Sequence, residues 1–134
     1  MPKYTFDNAP APKVIVIPAQ DGSKHAMLDW IRKSSQNADV TMSVCVGSYI
    51  PAKTGLLSGK PATTFHRAYD DFASSFRGIQ VKRGARFADA GNVASSGGLS
   101  SGIDLALHVV ERYFGRDATR ETAFYLEYIR VKAG

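Results

Sequence analysis

The single cysteine of the chain lies in the run Ser43-Val44-Cys45-Val46-Gly47, with small residues two positions before and two positions after it. A nucleophile set between a buried strand and a helix needs that spacing. A turn sharp enough to expose it brings the flanking backbones too close for larger side chains. The pattern is a nucleophile elbow with sulfur in place of oxygen. Free N–H groups and the helix dipole at such a turn favour thiolate, the form that attacks electrophiles and is oxidised. Cysteine is also among the most often buried residue types, and an isolated one commonly serves packing. The small-x-Cys-x-small spacing favours the reactive reading.

His66 has two readings of equal standing. It could orient or deprotonate the thiol, or bind a substrate at the same edge, or it could be a loop histidine with ordinary hydrogen bonds. His25 and His108 read as structural, and one cysteine with three scattered histidines makes no metal-ligand set, so no metal and no cofactor is expected. Ser95-Ser96-Gly97-Gly98-Leu99-Ser100-Ser101-Gly102 opens a helix, where free N–H groups could hold an anion. It lacks the G-x-G-x-x-G spacing, and Ile103 stands where a phosphate-loop lysine would be. Close packing of helix on sheet is the expected use of its glycines.

These residues need elements to hold them. Residues 1–12, with Pro10 and Pro12, read as a stiff lead-in to Val14-Ile15-Val16-Ile17, a continuous apolar run suited to a strand covered on both faces. Gln20-Asp21-Gly22 makes a turn after Pro18, Ser23 can cap a helix, and Met27, Leu28 and Ile31 repeat along one helical face. Val40 to Val44 is the second buried strand. The segment with Ile50, Leu56 and Leu57 reads as a helix ending near Gly59, with Pro51 in its first turn. A third strand is expected around Ala62 to Phe65, followed by a helix carrying Tyr69, Phe72 and Phe76. Ile79 to Lys82 and Phe87-Ala88 read as short strands, and Asp89-Ala90-Gly91-Asn92 as a hairpin turn into Val93-Ala94-Ser95. Two helices close the chain, about Leu99 to Phe114 with Gly115 as its stop, and Ala118 to Ile129 with Asp117 as its cap, before a tail at 130–134. Alternation of this kind means α/β, with a mostly parallel sheet, helices on both faces and ligands at the carboxyl ends of the strands. Pro18, Cys45 and His66 all fall there, so their loops should converge.

At 134 residues, 44% hydrophobic and 22% charged, the chain fits one globular domain spanning 1–134, with no apolar run long enough for a membrane-spanning helix. The formal charge of +5 is spread along the chain, which argues against nucleic acid as a partner. A lone cysteine fits a reducing compartment, and the first residues lack a secretory signal, so a cytoplasmic location is expected.

Four stretches resemble the ThiJ/PfpI family of the class I glutamine amidotransferase-like superfamily: VIVIPAQ at 14–20, MSVCVGSYIPAKTGLLSGKPATTFH at 42–66, VKRGARF at 81–87, and SSGGLSSGIDLALHVVERYFGR at 95–116. The resemblance runs from about Lys13 to Tyr128 and is nearest to isonitrile hydratase-like enzymes and the ligand domains of AraC-type regulators. It implies a flavodoxin-like three-layer sandwich with Cys45 as the elbow cysteine. It further implies a substrate pocket built from backbone N–H groups around Ala19, Gln20, Val46 and Gly47, with His66 at its edge. Val46 stands where protease-like members place His and hydratase-like members often place Thr, so a Cys–His dyad of the first kind is not expected. Family members begin with a strand and helix that bring an acid to the cysteine. The chain reads as starting after that unit, which would leave the Val14–Ile17 strand as an open edge and favour a homo-oligomer, a dimer above all. The expected function is that of a cysteine-dependent hydrolase or hydratase-like protein acting on a small electrophilic substrate. The alternatives are a non-catalytic small-molecule or redox sensor and a degenerate member without activity.

Overall fold

The computed structural model describes residues 1–20, 22 and 24–130. The expected Asp21 turn position, the Ser23 cap and most of the tail lie outside the described residues. The elements run β1 (Val14–Ile17), α1 (His25–Ser35), β2 (Val40–Val44), a 3₁₀ turn (Cys45–Ser48), α2 (Tyr49–Lys53), β3 (Pro61–Ala62), a second 3₁₀ turn (His66–Ala68), α3 (Tyr69–Ser75), β4 (Gln80–Val81), β5 (Phe87–Asp89), β6 (Val93–Ser96) and α4 (Ser101–Tyr125).

The main sheet has the order β1-β2-β6-β5, and β3 and β4 form a small parallel pair of their own. β1, β2 and β6 are parallel, with Ile17 opposite Ser43 and Ser43 opposite Ser95, while β5 returns antiparallel to β6 as the expected hairpin. Side chains of successive strand residues point to opposite faces, so each strand feeds two layers. Ile15 and Ile17 pack against Met27, Leu28 and Ile31 of α1 together with Ile50, and Val40, Met42, Phe87 and Ala94 pack against Leu105 and Val109 of α4. A third cluster joins Leu57, Phe72 and Val93 beside the β3–β4 pair. Phe72, Leu57, Ile50 and Leu105 are fully buried, and burial on that scale stabilises by about 1.5–3 kcal/mol per side chain. The result is a three-layer α/β sandwich with helices on both faces. No helix among the described residues is long and apolar enough to cross a membrane.

Several boundaries differ from expectation. β3 stops at Ala62 because the next N–H, that of Thr63, donates to the Ser95 hydroxyl at 2.9 Å instead of to a strand. α2 stops at Lys53, well before Gly59, and the chain turns at Gly55 in the left-handed region (φ 85°). The last helix begins at Ser101, since Leu99 is itself left-handed (φ 46°), and it ends at Tyr125. The expected break at Gly115 is present: φ 88° and ψ 175° interrupt α4 there, a conformation that glycine adopts without steric cost.

Candidate functional site

β2 ends in extended backbone at Val44 (φ −120°, ψ 134°), and Cys45 then turns to φ 57°. For a residue with a side chain, that region costs about 1–3 kcal/mol and survives only where the surroundings enforce it. Two hydrogen bonds do so: the Cys45 N–H donates to the Gly97 carbonyl at 3.2 Å, and Thr64 Oγ1 donates to the Cys45 carbonyl at 3.2 Å. Thr64 is itself fixed by the Ser48 hydroxyl, which donates to it at 2.8 Å in the interior. The elbow therefore hangs between the loop after β3 and the loop after β6.

Gly47 supplies the third constraint. A Cβ there would lie 2.5 Å from the Ile17 carbonyl oxygen and 2.7 Å from that of Pro18, closer than real atoms approach. The loop after β1 thus presses directly on the turn. Ser43, the small residue on the other side, is fully buried, and its hydroxyl, like those of Thr41 and Thr63, has no hydrogen-bond partner among the described residues.

Cys45 is half-buried and is a free thiol. No side chain among the described residues is hydrogen-bonded to its sulfur. Val46 is half-buried and Gly47 buried, whereas Ala19 and Gln20 are exposed on the loop after β1, with Gln20 Nε2 donating to the Pro18 carbonyl at 3.4 Å. His66 is exposed at the start of its 3₁₀ turn, with its ring edge on Phe65 at a centroid distance of 4.5 Å, and it makes no hydrogen bond to Cys45 among the described residues. The three strand-end loops converge on the turn, but through Pro18, Thr64 and Gly97 and not through the histidine.

Thr64 and Gly97, which hold the Cys45 backbone, also line a cavity of about 340 Å³ together with His66, Tyr69, Arg86 and Ser100, and Cys45 itself is not among its lining residues. Arg86 is tied to fully buried Asp104, its Nε donating to Oδ2 at 2.6 Å, and Tyr128 donates to the same oxygen at 3.0 Å. The hydrogen bond to Asp104 holds the Arg86 guanidinium above its usual range, and burial followed by the Asp104 hydrogen bond raises the Tyr128 hydroxyl. Sequence reasoning gave no role to Thr64 or Tyr128. Thr64 lies 19 residues from the carbonyl it binds, and Tyr128 contacts Arg86 across 42 residues, so no short motif joins them. Among the described residues no group of three or more His, Cys, Asp or Glu side chains could hold a metal ion.

No family model matches the chain. An isonitrile hydratase from Pseudomonas putida is 37% identical to it over 132 residues, 95% of this chain and 57% of that protein. The HTH-type transcriptional regulator CdhR of Pseudomonas aeruginosa is 32% identical over 90 residues, 67% of this chain and 26% of that protein. The chain thus spans well under two thirds of either relative. Among solved structures, a ThiJ/PfpI family protein from Pseudomonas syringae superposes with a TM-score of 0.82 at 24% identity, over 95% of this chain and 54% of the other.

Proposed function

The chain belongs to the ThiJ/PfpI family, and from that premise we propose that it is a cysteine-dependent hydratase or hydrolase-like protein acting on a small electrophilic molecule through Cys45. The observation that carries the reading is the left-handed turn at Cys45, held by Gly97 and Thr64 on one side and crowded by Pro18 on the other. Backbone strain held in place by its surroundings clusters at functional sites, and here it falls on the residue that carries the thiol. The chemistry follows from the nucleophile. The thiolate forms a bond to the electrophilic carbon, the displaced electron pair moves onto the attached nitrogen or oxygen, and backbone N–H groups at Val46 and near Ala19 and Gln20 stabilise that charge. For an isonitrile, carbon takes up sulfur and a proton to give a thioimidate. Water then adds, the carbon–sulfur bond breaks, and an N-substituted formamide leaves with the thiol restored. His66, at the cavity edge, serves to orient the substrate or pass the proton.

The regulator relative favours a second reading, in which the same pocket holds a small molecule without turnover, or Cys45 is oxidised by peroxide to a sulfenic acid. A panel of isonitriles and carbonyl compounds offered to wild type and Cys45→Ala, with mass spectrometry after peroxide, separates them. Turnover that Cys45→Ala abolishes supports the enzyme. Oxidation at Cys45 with no turnover supports the sensor, and neither outcome leaves a degenerate member.

A further inference from the structure

The cavity beside the elbow is more specifically built than a reactive thiol requires. No carboxylate residue lines it, and several N–H and O–H groups of its lining residues have no acceptor among the described residues. Arg86 is held by its Nε on Asp104 and by its Nη2 near Ser100 and Tyr128, both at 3.4 Å, while Nη1 has no partner among the described residues. Tyr69 Oη accepts the Gly84 N–H at 2.9 Å, which leaves its own proton free to donate. The backbone N–H groups of Gly98, Leu99 and Ser100 in the same wall have no acceptor among the described residues, whereas those of Ser101, Gly102 and Ile103 are bonded to carbonyls. A guanidinium N–H, a phenol O–H and successive free amides on residues that line one cavity suit an acceptor-only, negatively charged group.

We propose that this cavity is an anchoring subsite for a carboxylate, so that the molecule processed or sensed at Cys45 is a small organic acid. Arg86 is positioned for it by Asp104, which accepts from Nε, while Nη1 keeps its N–H groups without a partner among the described residues. A planar carboxylate meets a guanidinium edge by parallel hydrogen bonds, which a neutral amide cannot reproduce. The inference rests on the reading of the adjoining elbow as a ligand site, but its test does not use the sulfur.

Binding of succinate and of its neutral analogue succinamide is followed by amide shifts of the isotope-labelled protein, in the Cys45→Ser background. Saturable shifts at Gly98, Leu99 and Ser100 with succinate and none with succinamide are expected. Tyr69→Phe should weaken succinate at least 5-fold, and Arg86→Lys, which keeps the charge paired with Asp104, at least as much. Equal response to both compounds, shifts elsewhere only, or unchanged binding in Tyr69→Phe overturns the proposal, whatever the thiol does. A wild type that binds succinate in this way but turns over none of the isonitriles and carbonyl compounds sinks the enzyme reading and leaves the subsite intact.

Discussion

At Cys45 the backbone carries a requirement that the side chain does not explain. Glycine would occupy φ 57° without strain, so cysteine is held there against its own preference. The neighbouring Gly47 is needed for space. Replacing it with alanine drives a methyl into the Ile17 and Pro18 carbonyls, and backbone cannot yield as a flexible side chain can. Gly47→Ala should destabilise by about 1–3 kcal/mol, the range for overpacking, read as a lower urea midpoint, and should slow iodoacetamide labelling of Cys45. This much was legible in the sequence, because the elbow declares itself within five consecutive residues. Thr64 and Gly97 were not, because each reaches the Cys45 backbone through a single hydrogen bond from a distant loop, Thr64 with its hydroxyl and Gly97 with its carbonyl. His66 was singled out as the commonest type of general base, yet Phe65 precedes it and its ring stays exposed.

Among the elements, the β5–β6 hairpin has its own anchor. Asp89 accepts the Gly91 N–H at 2.8 Å, closing the turn, and its other oxygen meets His108 Nε2 and Arg112 Nη2 of α4, each at 2.8 Å. Burial alone would raise the Asp89 carboxyl, but the bonds from His108, the Gly91 N–H and Arg112 outweigh it and hold the carboxyl below its usual value. A carboxyl whose folded value lies below its unfolded one stabilises fully above the unfolded value, about 4, and loses that stability as pH falls toward the folded one. Wild type should therefore lose more stability than Asp89→Asn between about pH 5 and acid, as measured by urea midpoints across that range. The hairpin and the Gly115 break were legible because turn residues announce them. The ends of β3 and α2 were not, because Thr63 gives its N–H to a side chain and Gly55 ends the helix one turn after Pro51.

For the molecule as a whole, the sheet ends on one side at β1, which pairs only with β2 among the described residues, and Val16 on it is 57% exposed. An uncovered parallel edge with an exposed β-branched residue invites another strand. We propose that two copies associate through this edge. Sedimentation equilibrium at micromolar concentration should show a dimer that Val16→Lys shifts toward monomer. A wild type that stays monomeric would overturn this.

Gly115 also lets the end of the chain return to its middle. Past the break, α4 doubles back until Tyr128 reaches Ser100 and Arg86, and Arg130 reaches Glu111. The wall of the cavity and residues 128–130 are thereby tied to one another. A purification tag or fused domain grafted after Arg130 would tug on Arg86 through Tyr128.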